Sequence, residues 1–107
     1  MIQKGEIWLV EIPSTNGHEQ SGKRPAIVLA DTEANIVIII PLSSNLQALR
    51  FPHTLEIRPS SKNGLKLVSV ALVFHIRSID KKRLINKIGE FNDISKLDSM
   101  LQKLLKG

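Results

Sequence analysis

Apolar positions along the chain come in short runs, each closed by a proline, a glycine or a polar cluster. The first run, Glu6 to Ile12, starts after Gly5 and stops at Pro13, the punctuation of a strand. Trp8, Val10 and Ile12 fall on one face of it and Ile7 and Leu9 on the other, so both faces are expected to be covered at least in part. Ser14 to Lys23 is polar and contains glycine, and at ten residues it is long for a link between strands. Long polar loops in small domains often carry function. Arg24 to Asp31 reads as a second strand, with Pro25 tolerated at its beginning, and Asn35 to Pro41 as a third, buried one.

Beyond a loop at Leu42 to Phe51, the pattern predicts a short strand at Thr54 to Ile57, a turn at Ser60 to Gly64 and a strand at Ser69 to Phe74. Ile76 to Asp80 begins a tight segment, Lys81 to Leu84 reads as a helical turn, and Ile85 to Phe91 as a final strand. The period then changes. Ile94, Leu97, Leu101, Leu104 and Leu105 form a helical stripe, which Asn92 or Asp93 can cap and Gly107 can close. Lys96, Lys103 and Lys106 fall on its polar face, where solvation is the expected role. Five or six short strands, no crossover helices and one terminal helix predict a mainly β fold, a small antiparallel SH3-like barrel with a C-terminal α-helix.

Length and composition bound what such a fold can do. The 107 residues fit a single domain spanning 1–107, and a domain this small is helped by a closed sheet or by a second subunit, so a homodimer is expected. The chain has no cysteine, which excludes disulfides, thiolate nucleophiles and cysteine zinc sites. No signal-like segment opens the sequence, and the longest apolar run, Ile36 to Leu42, is too short to span a bilayer; no membrane association and a cytoplasmic location are the expectation. A net charge of +5 favours a polyanionic partner, a nucleic acid or an acidic protein. His18, His53 and His75 are spread over three segments with no carboxylate pair at ligand spacing, so neither a metal nor another cofactor is expected.

Several separated motifs carry a resemblance. Gly5-Glu6-Ile7-Trp8-Leu9-Val10 and Gly17-His18-Glu19-Gln20-x-Gly22-x-Arg24-Pro25-Ala26-Ile27-Val28 resemble the opening of the MazF/PemK (Kid) toxins. Pro41-Leu42-Ser43-Ser44 is similar to a strand end that the family writes with threonine or serine. Ser69-Val70 and Ile76-Arg77-Ser78-Ile79-Asp80-Lys81-x-Arg83-Leu84 resemble its later segment, and the likeness extends over essentially the whole chain. It implies a PemK/CcdB-type barrel, a two-fold dimer, a cognate antitoxin, and metal-independent cleavage of single-stranded RNA (mRNA) at short motifs, leaving a 2′,3′-cyclic phosphate and a 5′-hydroxyl.

Such cleavage needs a base for the 2′-hydroxyl, an acid for the leaving oxygen and donors for the crowded phosphorane charge. Arg24 is the first candidate: a guanidinium holds two phosphate oxygens and stays charged, and the family's R-P arginine is catalytic. Ser43 corresponds to the family's active-site hydroxyl, and Ser44 takes that role if the register shifts by one. His18 and Glu19 are candidate bases, with Gln20 and Lys23 beside them as substrate contacts. The resemblance departs at Phe74-His75, where many relatives carry an acidic residue and a glutamine; His75 is therefore a substitute candidate for proton transfer or a substrate contact. Arg77 is a candidate phosphate ligand or structural residue, and Asp80 a cap or ion-pair partner. Lys23, Arg50, Lys62 and Lys66 are candidates for an RNA groove, with Phe51 and Phe74 as stacking platforms.

Two other functions fit the same barrel. One is a catalytically lapsed module that only binds RNA or an antitoxin, suggested by Phe74-His75. The other is a gyrase-binding toxin of the CcdB kind, disfavoured by the G-H-E-Q loop and the R-P motif.

Overall fold

The apolar run beginning at Ile36 becomes the central strand, and its lack of alternation reflects burial on both faces. Val37 and Ile39 enter one core with Val10, Ile12, Ala26, Val28 and Ile79. Ile40 and Leu42 enter another with Ile7, Ile27, Leu55, Ala71 and Leu97. The computed structural model describes residues 2–13 and 22–106. In chain order the elements are β1 (Glu6–Ile12), β2 (Gly22–Asp31), β3 (Ile36–Ser43), β4 (Thr54–Ile57), β5 (Ser69–Leu72), β6 (Arg77–Asp80), β7 (Leu84–Glu90) and α1 (Ile94–Lys106). Short 3-10 turns lie at Leu46–Arg50, Val73–His75 and Lys81–Arg83.

All strand pairs are antiparallel, in the order β4-β5-β3-β2-β1-β7, with β6 joined to β3 as well. The expected mainly β fold with a C-terminal helix is therefore present. Strand boundaries differ from the sequence pattern in several places, by one residue at the start of β3 and at both ends of β7 and by more elsewhere. β2 begins two residues earlier, at Gly22, and β3 runs on through Ser43 because it gains β5 as a partner there. The Ser69 strand ends at Leu72, because the Val73 amide donates to the His53 carbonyl (3.0 Å) and the chain turns. Ile76 to Asp80 is a strand in its own right, pairing with Ile36–Ile39, which brings the described strands to seven.

The curled sheet is sealed by the turn after β4. Asn63, 5% exposed, accepts from the Ser60 and Leu65 amides through Oδ1 (3.0 Å each) and donates from Nδ2 to the Arg58 carbonyl (2.8 Å). The Glu90 amide of β7 donates to the Lys62 carbonyl (2.9 Å), so the turn covers the free side of β7. This approach needs Gly89, where a Cβ would collide with the Asn63 backbone.

The helix is held by Leu97, fully buried, with Met100, Leu101 and Leu104 against the first core. Leu105, counted in the sequence stripe, is instead 81% exposed, and Met100 takes the inward place. Asp93 caps the start, its Oδ1 accepting from the Lys96 amide (3.2 Å), whereas the Gly107 cap lies outside the described residues. Lys96, Lys103 and Lys106 are exposed, as a solvated face requires. Asp80 caps the Lys81–Arg83 turn by accepting from the Lys82 amide (3.0 Å).

The Gly5-Glu6-x-Trp8 segment is structural. Gly5 holds a left-handed φ of +95° and exchanges backbone bonds with Val28 (2.8 Å) and Phe91 (2.7 Å), which ties β1 to β2 and to the start of the helix. The buried Glu6 carboxylate accepts from Trp8 Nε1 (2.9 Å) and faces Lys87 Nζ (3.4 Å). Burial alone would raise its pKa, but the bonds from Trp8 and the Gln3 backbone and the Lys87 charge outweigh it and hold the carboxyl below its usual value of 4.5.

Two stability outcomes follow. Asn63→Ala strands two amides and a carbonyl in a buried turn, and is expected to lower unfolding free energy by about 3 kcal/mol in urea titration. A folded-state pKa below the unfolded one makes Glu6 a stabilising group above pH ~4.5 whose contribution fades as pH falls through the lower folded value. Glu6→Gln should therefore flatten the acid limb of the stability profile while costing stability at neutral pH, measured by thermal melts across pH 2.5–7.

Candidate active site

The ends of β2 and β3 bring the leading candidates together. Arg24 is the third residue of β2, half-buried and opposite Val10 of β1. The last registered pair between β2 and β3 is Ala26 with Pro41. Two residues further along each strand stand Arg24 and Ser43, which alternation places on the same face. Ser43, 5% exposed, pairs with Val70 of β5, and its Oγ accepts from the Asn45 amide (3.1 Å). Asn45 in turn accepts from the Gln47 amide (3.1 Å) and so starts the Leu46–Arg50 turn.

Two cavities flank this strand end. One, about 520 Å³, is bordered by Ser43, by Asn45, Gln47 and Arg50 of the following turn, by Phe51 to His53, and by Leu72, Phe74 and His75. The other, about 430 Å³, is bordered by Lys23, Arg24, Ser44 and Lys66 over an apolar floor that includes Leu9, Leu42 and Leu65. β3 ends at Ser43, and Ser44, in the bend that follows, opens on the other cavity. Arg24 shares its cavity with Ser44, and Ser43 borders the other. Among the described residues no carboxylate borders either cavity; the smaller carries Lys23, Arg24 and Lys66, and the larger carries Arg50. Both suit an anionic ligand.

The larger cavity is aromatic. The Phe74 and His75 rings lie 4.6 Å apart at 47°, Phe51 meets Phe74 edge-on at 6.3 Å and 69°, and the Arg50 guanidinium sits 5.4 Å from the Phe51 centroid. His53 adopts a left-handed φ of +60°, uncommon for a side chain with a Cβ, and its carbonyl holds the Val73 amide.

Of the residues expected from sequence, Lys23, Arg24, Ser43, Ser44 and His75 all border one of these cavities. Arg77 does not: it lies in β6 opposite Ile39 and borders neither, and Lys62 sits in the sealing turn. His18, Glu19 and Gln20 lie outside the described residues. Sequence reading passed over Asn45, Gln47 and His53; the Asn-x-Gln spacing after a strand is the only local signal, an Asx-type turn. Among the described residues no group of three His, Asp or Glu side chains is placed to hold a metal ion.

The pattern of the family described as PemK-like, MazF-like toxin of type II toxin-antitoxin system matches residues 3–106. The chain belongs to this toxin family. Endoribonuclease EndoA of Bacillus subtilis (strain 168) is 30% identical over 108 residues, which span 95% of this chain and 92% of that protein. Endoribonuclease MazF9 of Mycobacterium tuberculosis is 28% identical over 113 residues, spanning 95% and 94%. The fold is that of MazF from Deinococcus radiodurans, with a TM-score of 0.80 at 24% identity over 99% of this chain and 97% of that one. A MazE-MazF structure from the same organism gives 0.70 at 24% identity over 98% and 96%.

The two serines differ in structural weight. Ser43→Ala removes the acceptor of a part-buried amide and should cost about 1 kcal/mol, whereas exposed Ser44→Ala should stay within roughly 0.5 kcal/mol of the parent in denaturant titration.

Proposed function

We propose that this PemK/MazF-family chain is a metal-independent endoribonuclease toxin that cuts single-stranded RNA at a short sequence motif in the cytoplasm. The single observation that carries the reading is that Arg24 and Ser44 share one cavity while the adjacent Ser43 borders a second, with no carboxylate at either among the described residues. The curated relatives named endoribonucleases supply the reaction class. In the step envisaged, the ribose 2′-oxygen attacks the adjacent phosphorus and the bond to the 5′-oxygen breaks, leaving a 2′,3′-cyclic phosphate and a 5′-hydroxyl. Arg24 binds the non-bridging oxygens as negative charge builds on them, and a serine hydroxyl donates to the same group. His18 or Glu19 takes the 2′-hydroxyl proton as base, the departing 5′-oxygen gains a proton in a transfer that Arg24 assists, and His75, bordering the neighbouring cavity, contacts the substrate.

The basic surface also suits an acidic antitoxin segment, in keeping with the MazE-MazF structure among its neighbours. A two-fold dimer is the proposed assembly. Ile36, Leu46, Leu49, Ile76 and Ile85 leave apolar surface exposed on a domain with a small core. No helix among the described residues is long and apolar enough to cross a membrane.

Arg24→Ala is expected to reduce cleavage of a long unstructured RNA by about 10²–10³-fold, the cost of losing one preorganised charge partner. Undiminished cleavage would remove Arg24 from the mechanism. End-group analysis of the products separates this reading from a module that binds RNA without cutting it: a cyclic phosphate supports cleavage, intact RNA in a stable complex supports binding alone.

A further inference from the structure

The turn that seals the sheet is built on a chemically labile pair. The sequence holds two Asn-Gly steps, Asn16-Gly17 and Asn63-Gly64, and the second is the centre of that turn. In an open chain such a step reacts with itself, because a glycine amide has no side chain to shield it. The glycine nitrogen gives up its proton and attacks the asparagine Cγ, the side-chain nitrogen leaves as ammonia, and a cyclic succinimide closes. Water then opens the ring to aspartate or isoaspartate. The turn can dispense with neither residue: Asn63 holds two amides and a carbonyl, and Gly64 sits at a left-handed φ of +68° where a Cβ would strike the Ile88 carbonyl.

The folded turn occupies every atom that the reaction needs. The nucleophile, the Gly64 amide, donates to the Ser60 carbonyl (3.3 Å). The leaving group, Asn63 Nδ2, donates to the Arg58 carbonyl (2.8 Å), and Oδ1 is pinned by the Ser60 and Leu65 amides. The Asn63 amide donates to Ser60 Oγ (3.1 Å), and the residue is 5% exposed. Ring closure must break these bonds together, in a site that water scarcely reaches. The products do not restore them. Aspartate places a carboxyl oxygen where Nδ2 donated to a carbonyl, and isoaspartate adds a methylene to a backbone pressed against Gly89. Gly64, Leu65 and Lys66 also border the Arg24 cavity, so a lost turn removes part of that wall. We propose that Asn63-Gly64 is a fold-gated deamidation site: inert while the turn is closed, reactive when the chain opens and, once converted, unable to rebuild the turn. An opening long enough for reaction therefore retires the molecule, a chemical route to irreversible unfolding. The gate follows from the turn alone, and only its effect on cutting rests on the RNA-cleavage reading.

Peptide mapping by mass spectrometry follows the Asn63 peptide of the full chain at neutral pH, native or in urea, and reads the mass gained when an amide becomes an acid. In urea both Asn-Gly steps should convert, with Asn16 giving the pace of an open step in the same chain. Native protein should convert Asn63 more slowly by about 100-fold or more, as a site that reacts only on opening requires. Equal rates in the two conditions overturn the gate. Ser60→Ala removes only the hydroxyl that accepts the Asn63 amide and should speed native conversion roughly 5-fold, the effect of one lost hydrogen bond; an unchanged rate counts against the gate. After removal of urea, size-exclusion chromatography should find chains converted at Asn63 in the fraction that fails to refold and unconverted chains in the compact one. Converted chains that refold in equal proportion overturn the retirement. Asn63→Asp copies one product and should melt lower by about 10 °C or stay unfolded, and a melt like the parent's overturns the retirement as well. RNA cutting should fall with the converted fraction. Cutting by fully converted protein overturns the retirement, whereas a lack of cutting in every sample overturns only the cleavage reading and leaves the mass data to decide the gate.

Discussion

One edge of β3 is divided between two strands, and the candidate site depends on that division. Ile36–Ile39 pair with β6, whereas Leu42 and Ser43 pair with β5. The chain between β5 and β6 must therefore cross the gap at β3's midpoint, and it does so in the 3-10 turn Val73–His75. A strand there would keep Phe74 and His75 in a ladder. The turn instead takes their rings out of the sheet and stacks them toward Phe51, which arrives from the other side of β4. The same division extends β3 to Ser43, which is buried and pairs with Val70 of β5.

That arrangement is affordable only because the rest of the sheet is rigid. Two cores grip β1, β2 and β3 from both faces, and the Asn63 turn ties the region after β4 to β7 at Gly89. Catalytic groups on strand ends inherit this precision, since their backbones are fixed by ladder bonds and their neighbours by packing. Acidic groups are kept elsewhere: Glu6 is engaged by Trp8 and Lys87, Asp31 by Lys81, Glu11 by Arg83 and Asp98 by Lys4. None of these borders the two cavities, where Lys23, Arg24, Arg50 and Lys66 stand.

Much of the fold was legible in the sequence. The strand periods, Pro13 as a stop, the helical stripe and its Asp93 cap depend on neighbours in the chain, and the pattern records them directly. β6 was less legible because its partner, Ile36–Ile39, lies some forty residues upstream and alternation over four residues is too short to declare itself. Leu105 was misassigned to the buried stripe for a related reason: which of two adjacent leucines and a methionine turns inward is decided by the sheet beneath the helix. At the site, motif spacing located Arg24 and the Ser43-Ser44 pair but not how they partition. Arg77, in the linear motif either a phosphate ligand or a structural residue, pairs in β6 with Ile39 and borders neither cavity. His53 and Gln47 gave no signal because their roles arise from a turn geometry and a positive φ that no residue-type rule demands.

Adjacent serines at the end of β3 border cavities of different chemistry. Ser43 faces a ring-walled cavity and Ser44 a lysine-arginine one, so one strand end serves both. A single RNA strand crossing that end would meet cations through its phosphates and rings through its bases, two interactions with different distance laws. The charge contacts act over roughly a Debye length, about 8 Å at physiological salt, and are indifferent to sequence. Stacking and amide contacts act only on touch and differ from base to base. The two sets of groups are rooted on different segments: Arg24 on β2, and the rings at the turns Leu46–Arg50 and Val73–His75.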